Sequence, residues 1–355
     1  MGRLAVYKYV ALMFLVLQIV VSAFTFTGLF GGEVSPIGNS ARAMLVYILP
    51  VLIALNLLLL IYWLIRRKWL FALIPVITVA CCIPYLGTIL QFGSLDKAAA
   101  DAQRGFKVAS YNVAMFNRET SGFMAQDILA QMRRQKVDIC CMQEYNDISG
   151  DKKNTETYSE YFPYFKQGRQ DMIIFSRYPI TDSKTMLFDN TNNSAMWADI
   201  DVNGQTIRVF NVHLQTTGIS GTLHQAGKLA AQHKEVSDSK LLEAIFGNYT
   251  LGMYFRAGQA NTVANEKRSS VNPCIVCGDF NDVPYSYVYN TMLGNMVDGF
   301  KECGAGWMYT FRGKKPVRID YIFHDQAMKG LIYYQDPELT YSDHYPVFMK
   351  IAAMK

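Results

Sequence analysis

Pro273-Cys274-Ile275-Val276-Cys277-Gly278-Asp279-Phe280-Asn281 is an apolar, β-branched run that stops on an acid and an amide. Such a run reads as a buried strand, and its last residues as the strand's emergence at the edge of a sheet. Outward along the chain the pattern recurs. Phe106–Val113 carries Tyr111 and Asn112 near its end, Val137–Met142 runs into Gln143 and Glu144, and Ile207–Leu214 contains Asn211 and His213. Val317–Phe323 carries Arg318 and Asp320, and Ser342-Asp343-His344 stands just before the apolar run Val347–Ala352. Strands that deliver carboxylates, amides and imidazoles to one rim are suited to hold a metal over a substrate.

The rest of the chain divides near residue 100. At 355 residues it exceeds the usual size of one domain. Residues 1–100 hold seven of the 34 Lys and Arg against two of the 29 acidic residues, so 101–355 hold 27 of each and are neutral. The excess of +5 therefore belongs to the apolar N-terminal part and says nothing about nucleic-acid affinity. Three apolar segments, about Tyr9–Phe30, Ala43–Ile65 and Leu70–Leu90, match the roughly 20 residues of a membrane span. The alternative for the first is a signal peptide with Val21-Ser22-Ala23 as a weak cleavage site; two further spans weigh against it. Arg3, Lys8 and Arg66-Arg67-Lys68 assign the N-terminus and second loop to the cytoplasm, which predicts an extracytoplasmic remainder. The expected domains are an anchor of three transmembrane helices over 1–92, a link over 93–105 and a catalytic domain over 106–355.

From Phe106 onward, strand signals pair without regular helical crossovers. This predicts an α/β sandwich of mixed sheets with helices on its outer faces, not a doubly wound nucleotide fold. Ala125–Lys136 reads as an amphipathic helix, and Lys234–Phe246 and Gly252–Lys267 as two more. Asn203-Gly204 reads as a tight hairpin turn between Ala195–Val202 and Ile207–Leu214. Cys274 and Cys277 are separated by three positions on a strand and point to opposite faces, so buried free thiols are expected rather than a metal pair.

The rim residues match the needs of phosphoester hydrolysis. Glu144, Asp343, Asn112 and Asp279 are hard oxygen donors of the kind Mg²⁺ or Mn²⁺ takes. A histidine near neutral pKa can accept a proton from water, and a carboxylate can orient it: His344 and Asp320 fit. Asn281 and His213 remain to hold the phosphate. His224 and His233 read as surface residues, and His324 as structural.

The ordered set Ser110-Tyr111-Asn112, Met142-Gln143-Glu144, Phe175-Ser176-Arg177-Tyr178-Pro179-Ile180, Asn211-Val212-His213-Leu214-Gln215, Gly278-Asp279-Phe280-Asn281-Asp282, Arg318-Ile319-Asp320-Tyr321 and Ser342-Asp343-His344-Tyr345-Pro346 resembles the endonuclease/exonuclease/phosphatase superfamily. The resemblance covers about residues 106–352. It implies a four-layer sandwich of two mixed β-sheets flanked by helices, with metal at Asn112 and Glu144 assisted by Asp343. It also implies His344 with Asp320 as the base pair, Asp279 and Asn281 positioning nucleophile and phosphate, and His213 on the phosphate or leaving group. Two departures, Asp171-Met172 before a strand and a long span between His213 and Asp279, fall where substrate-selecting loops would sit.

The leading expectation is a membrane-tethered, Mg²⁺- or Mn²⁺-dependent phosphodiesterase or phosphatase, contacting the bilayer through its three N-terminal helices. A phospholipid headgroup or other small phosphate ester is favoured over nucleic acid, because the neutral domain lacks the basic excess of a polyphosphate binder. The alternatives are an extracytoplasmic nuclease of the same superfamily, a catalytically silent binding protein on the same fold, or a small transporter. The absence of charge inside the spans argues against the transporter. No protein partner is deducible.

Overall fold

The computed structural model describes residues 3–114, 125–145, 160–169, 172–216, 238–313 and 316–353. The chain forms two compact units, one reaching to Thr88 and including Val283–Asn290, the other comprising Ile89–Asp282 and Thr291–Lys355.

The first unit is helical. Val6–Glu33, Ser40–Ile65 and Trp69–Leu86 are each long and apolar enough to cross a membrane. A buried polar network joins them: the Asn56 amide oxygen accepts from Gln18 and Ser22 at 2.9 and 3.0 Å, and its nitrogen donates to Thr25 at 2.8 Å. Thr78 donates to Ser22 at 3.1 Å, bringing in the third helix. Each such bond between apolar helices contributes about 0.5–2 kcal/mol. The third helical span stops at Leu86 and not at the expected Leu90, which instead begins a two-residue strand. Pro84 offers no N–H to the turn behind it, so the last helical turn is already broken off at Cys82.

The second unit is built of strands. In chain order they are β1 (Leu90–Gln91), β2 (Gly105–Asn112), β3 (Ile139–Gln143), β4 (Tyr164–Gln167), β5 (Ile173–Ser176), β6 (Ile180–Leu187) and β7 (Ser194–Val202). There follow β8 (Gln205–His213), β9 (Cys274–Asp279), β10 (Val297–Asp298), β11 (Gly306–Trp307), β12 (Asp320–His324), β13 (Gly330–Gln335) and β14 (Val347–Ala352). Two six-stranded sheets result, in the orders β10-β12-β9-β8-β7-β6 and β13-β14-β2-β3-β5-β4. Both are mixed: β8 and β9 run parallel in one, β2 and β3 in the other, and every other pairing is antiparallel.

Strand alternation then places the core. Val108, Ile139, Cys141, Val209, Ile275, Cys277, Ile322 and Met349 share one cluster between the sheets. Ala109, Tyr111, Cys140, Met142 and Phe348 point the other way and pack with Ile128, Leu129 and Met132 of the helix Ala125–Arg134. On the outer face of the other sheet, Trp197 of β7 donates to Glu266 of the helix Asp238–Arg268 at 3.0 Å. Helices thus cover both faces of the sandwich.

The two helices expected over 234–267 are one, Asp238–Arg268, running through Gly247 and Gly252. A glycine costs a helix about 1 kcal/mol. Burial of Met253, Arg256, Ala257, Ala260 and Val263 in the following turns outweighs that cost. The segment expected as a bare link carries the helix Lys97–Ala102, whose Ala100 is buried in the outer cluster. Asn203 and Gly204 adopt φ of 57° and 89°, the primed turn expected of a two-residue hairpin. Asp171, His224 and His233 lie outside the described residues.

Candidate active site

The register of the strands brings the site together. Parallel pairing aligns Asn112 with Gln143 at the ends of β2 and β3, and His213 with Asp279 at the ends of β8 and β9. Antiparallel pairing sets Asp320, the first residue of β12, beside Asp279, and Val347, the first residue of β14, beside Ser110. Both strand starts therefore meet the same rim as the four strand ends. Asn112, Gln143, His213, Asp279 and Asp320 also share parity with the inward apolar residues of their strands, so they continue the inter-sheet core upward as a polar cap.

Just below the rim lies a fully buried polar layer. Gln143 donates to Asn211 Oδ1 at 2.6 Å and to Ser110 Oγ at 3.2 Å, while Asn211 Nδ2 donates to the carbonyls of Met142 and Ile173 at 2.9 Å each. These bonds tie the two sheets together directly under the site. Gly278, with φ of 139°, permits β9 to approach β8: a Cβ there would stand 1.9 Å from Val212 O.

At the rim, Asn112 Nδ2 donates to Glu144 Oε1 and Asp279 Oδ2, each at 3.1 Å. His213 Nε2 lies 3.7 Å from Glu144 and 4.0 Å from Asp279. The Asn281 backbone and side-chain amides both donate to Asp279, at 2.8 and 3.3 Å. His344 Nδ1 donates to Asp320 Oδ2 at 2.9 Å, and its Nε2 stands 3.7 Å from Asp279 Oδ2. Seven of the eight expected residues thus form one contact network. Asp343 joins at its margin: it is exposed, and its neighbour Ser342 reaches both the Asp343 carboxylate, at 3.3 Å, and the Asn112 carbonyl, at 2.7 Å. Glu144 and Asn281 hold φ of 52° and 51°, a conformation that non-glycine residues adopt at a cost and that clusters at functional sites.

Supporting residues surround the site, and of these Thr310 and Phe311 carried no sequence signal. The Thr310 hydroxyl accepts from the backbone N–H groups of Ile319 and Asp320, both at 3.0 Å, fixing the start of β12. Phe311 packs edge-on against His344 with ring centroids 5.2 Å apart. Arg318, two residues before Asp320, is fully buried and paired with Asp298 through bonds of 2.8 and 2.6 Å. Breaking such a buried pair costs about 3–5 kcal/mol. Away from the site, His324 has the structural place expected of it, between Asp325 O and Glu302. Cys274 and Cys277 are buried free thiols.

The electrostatics of the rim call for a cation. Burial opposes protonation of His344, yet the charges of Asp320 and Asp279, the Asp320 hydrogen bond and the charge of Asp343 outweigh it and push the pKa up to about 10. A near-neutral value was expected, and the crowding of carboxylates is the reason for the difference. Burial and the charge of Asp320 raise Asp279 to about 6 against the pull of both histidines. Burial lowers His213, despite the attraction of Asp279. Oxygen donors in this number, counterbalanced by a proton on His344, fit a divalent cation. Asp279, Asp320 and His344 offer ligand atoms within 4.8 Å of one another. In that trio, however, Nδ1 of His344 is already committed to Asp320, whereas the Glu144 carboxylate, bonded to Asn112, is the more open one on the rim.

The comparisons with known proteins agree with this geometry. The Endonuclease/Exonuclease/phosphatase family model matches residues 109–344, and the chain belongs to that family. Its enzymes are in general metal-dependent phosphoester hydrolases. A second model, a domain of unknown function (DUF8431), matches residues 11–89. No curated protein matches the chain. Among solved structures, an endonuclease/exonuclease/phosphatase from Beutenbergia cavernae superposes with a TM-score of 0.53 at 18% identity, covering 71% of this chain and 72% of that one. One from Bacteroides vulgatus gives 0.51 at 19%, covering 71% and 100%. Truncated TDP2 of Caenorhabditis elegans gives 0.51 at 12%, covering 70% and 97%. At these identities the likeness concerns the fold alone.

The contrast between the two rim histidines is measurable. In metal-free protein labelled with ¹⁵N-histidine, five residues in all, His344 is expected to remain an imidazolium past pH 8 and His213 to titrate below 6.5. Because the folded His344 pKa is raised, its stabilising contribution is complete below about 6.5 and disappears as pH climbs toward 10. A His344 ring that is neutral at pH 7 without metal contradicts the charge balance described.

Proposed function

We propose that this protein is a membrane-tethered phosphoesterase that hydrolyses a phosphodiester or phosphomonoester by attack of water, with Mg²⁺ or Mn²⁺ held by Glu144 and Asn112 and assisted by Asp343. The observation that carries the reading is the His344–Asp320 pair at 2.9 Å with its second nitrogen turned toward Asp279. A divalent cation held there would supply Lewis acidity toward the phosphoryl oxygens and, as positive charge on the rim, would draw the His344 pKa down.

The protein's own groups divide the remaining work. Asp320 accepts from Nδ1 of His344 and so fixes the tautomer that leaves Nε2 free to take a proton. His344 Nε2 and Asp279 Oδ2 are 3.7 Å apart, close enough to bind one water together: the carboxylate orients it, and the imidazole removes its proton. Asn281 is anchored through Leu214 O and Asp279, which sets its amide to position a phosphate oxygen. His213, neutral at pH 7, lends a ring N–H to the phosphate or the leaving oxygen. The neutral charge of residues 101–355 supports a lipid headgroup or small phosphate ester as substrate over a nucleic acid.

His344→Ala is expected to slow hydrolysis at least about a hundredfold, the usual scale for losing a general base. Asp320→Ala should cost a similar factor, and the double variant should be little worse than either, because the two act as a unit. Rates for the four proteins on the best phosphoester, with Mg²⁺ and with chelator, decide the matter. Multiplicative losses would separate the pair, and a fully active His344→Ala would remove His344 as the base.

The orientation is a further part of the reading: three candidate spans and Arg66-Arg67-Lys68 in the second loop support residues 91–355 lying outside the cytoplasm. A reporter active only in the cytoplasm, fused after Lys355, should stay silent. Strong reporter activity would reverse the orientation without touching the chemistry.

A further inference from the structure

The two-stranded pair β1–β11 belongs to neither large sheet. Leu90 pairs with Trp307 and Gln91 with Gly306, and Met308 N–H donates to Ile89 O at 2.9 Å. Trp307 is 67% exposed and Phe92 92% exposed, the two most exposed aromatic side chains among the described residues of the second unit. A tryptophan costs water contact wherever it is left uncovered, and a pair this short contributes little stability of its own. Its position in the chain supplies the missing partner. Leu90 follows Leu86, the end of the third apolar span, by four residues, at most about 14 Å of chain. Tryptophan and phenylalanine at that distance from a span end lie within reach of the headgroup layer, where an amphipathic indole is most favourably placed.

We propose that β1–β11 is a membrane foot, with Trp307 and Phe92 seated in the headgroup layer of the bilayer that the three helices cross. The inference rests on the membrane-tethered reading of those helices, and on nothing in the proposed chemistry. The foot is also linked to the rim. Four residues beyond Trp307, Phe311 forms an isolated bridge with His344 and packs against its ring. Thr310 in the same segment holds the start of β12.

The chain has four tryptophans, which makes the test direct. The full-length protein, labelled with 5-fluorotryptophan, is placed in phosphatidylcholine nanodiscs with and without a lipid bearing a nitroxide on its headgroup. Trp307→Phe assigns its ¹⁹F resonance. Trp69, exposed at the start of the third span, is the bilayer reference, and the buried Trp197 is the reference for the catalytic unit. The foot predicts that Trp307 is broadened at least as strongly as Trp69 while Trp197 is spared. Broadening of Trp69 with Trp307 as quiet as Trp197 overturns the foot and leaves the anchor standing. Absence of broadening at both overturns the anchor as well. A Trp307 shielded from the lipid nitroxide and from a water-soluble relaxation agent alike means that protein covers it, which also overturns the proposal.

Discussion

Asp279 and Asp320 are forced side by side onto one rim by strand register, with Glu144 next to them and Asp343 at the margin, and the repulsion within this group of carboxylates is the constraint on which the rest depends. The pairings Asp320 with Asp279 and His213 with Asp279 leave no freedom to move them apart, because a one-residue slip would turn Ile275, Cys277 and Ile322 out of the core. The hydrophobic interior therefore holds the acids in place. The compensations are local: amide donors from Asn112 and Asn281 and the proton on His344. A site with this much stored negative charge selects cations and, with a cation bound, phosphate.

The polar layer beneath explains why such a cap can sit on an apolar core. Gln143 donates to Ser110 and Asn211, and Asn211, reaching across from the other sheet, donates to the carbonyls of Met142 and Ile173, so no sharp boundary separates the apolar cluster from the charged rim. The buried Arg318–Asp298 pair serves the same end from the side, holding the segment that presents Asp320.

The sequence made the central strands legible because each is a largely buried apolar run ending in a polar residue, as β2, β3, β8 and β9 illustrate. The edge strands β4, β6 and β13 escaped it. All four residues of β4 are exposed, and β6 alternates polar and apolar residues too weakly to stand out. The helix Asp238–Arg268 was divided in two by local propensity at Gly247 and Gly252, which tertiary packing overrode. At the site, every residue to which a role is proposed was readable as a polar residue at or near the end or start of a strand. Thr310 and Phe311 were not, since their work depends on contacts between distant segments that no local pattern encodes. The elevated His344 pKa was hidden for the same reason: it is a sum over charges from β9, β12 and the segment before β14.

The most direct measurement of the central claim is the position of a Mn²⁺ ion in crystals of the protein, read from its anomalous scattering. The account predicts a peak bound by the Glu144 carboxylate and the Asn112 amide oxygen, with His344 still hydrogen-bonded to Asp320. A peak held by Asp279, Asp320 and His344 would take the imidazole out of proton transfer, and no peak on the rim would leave the four carboxylates without the cation they are arranged to bind. Either result would contradict it.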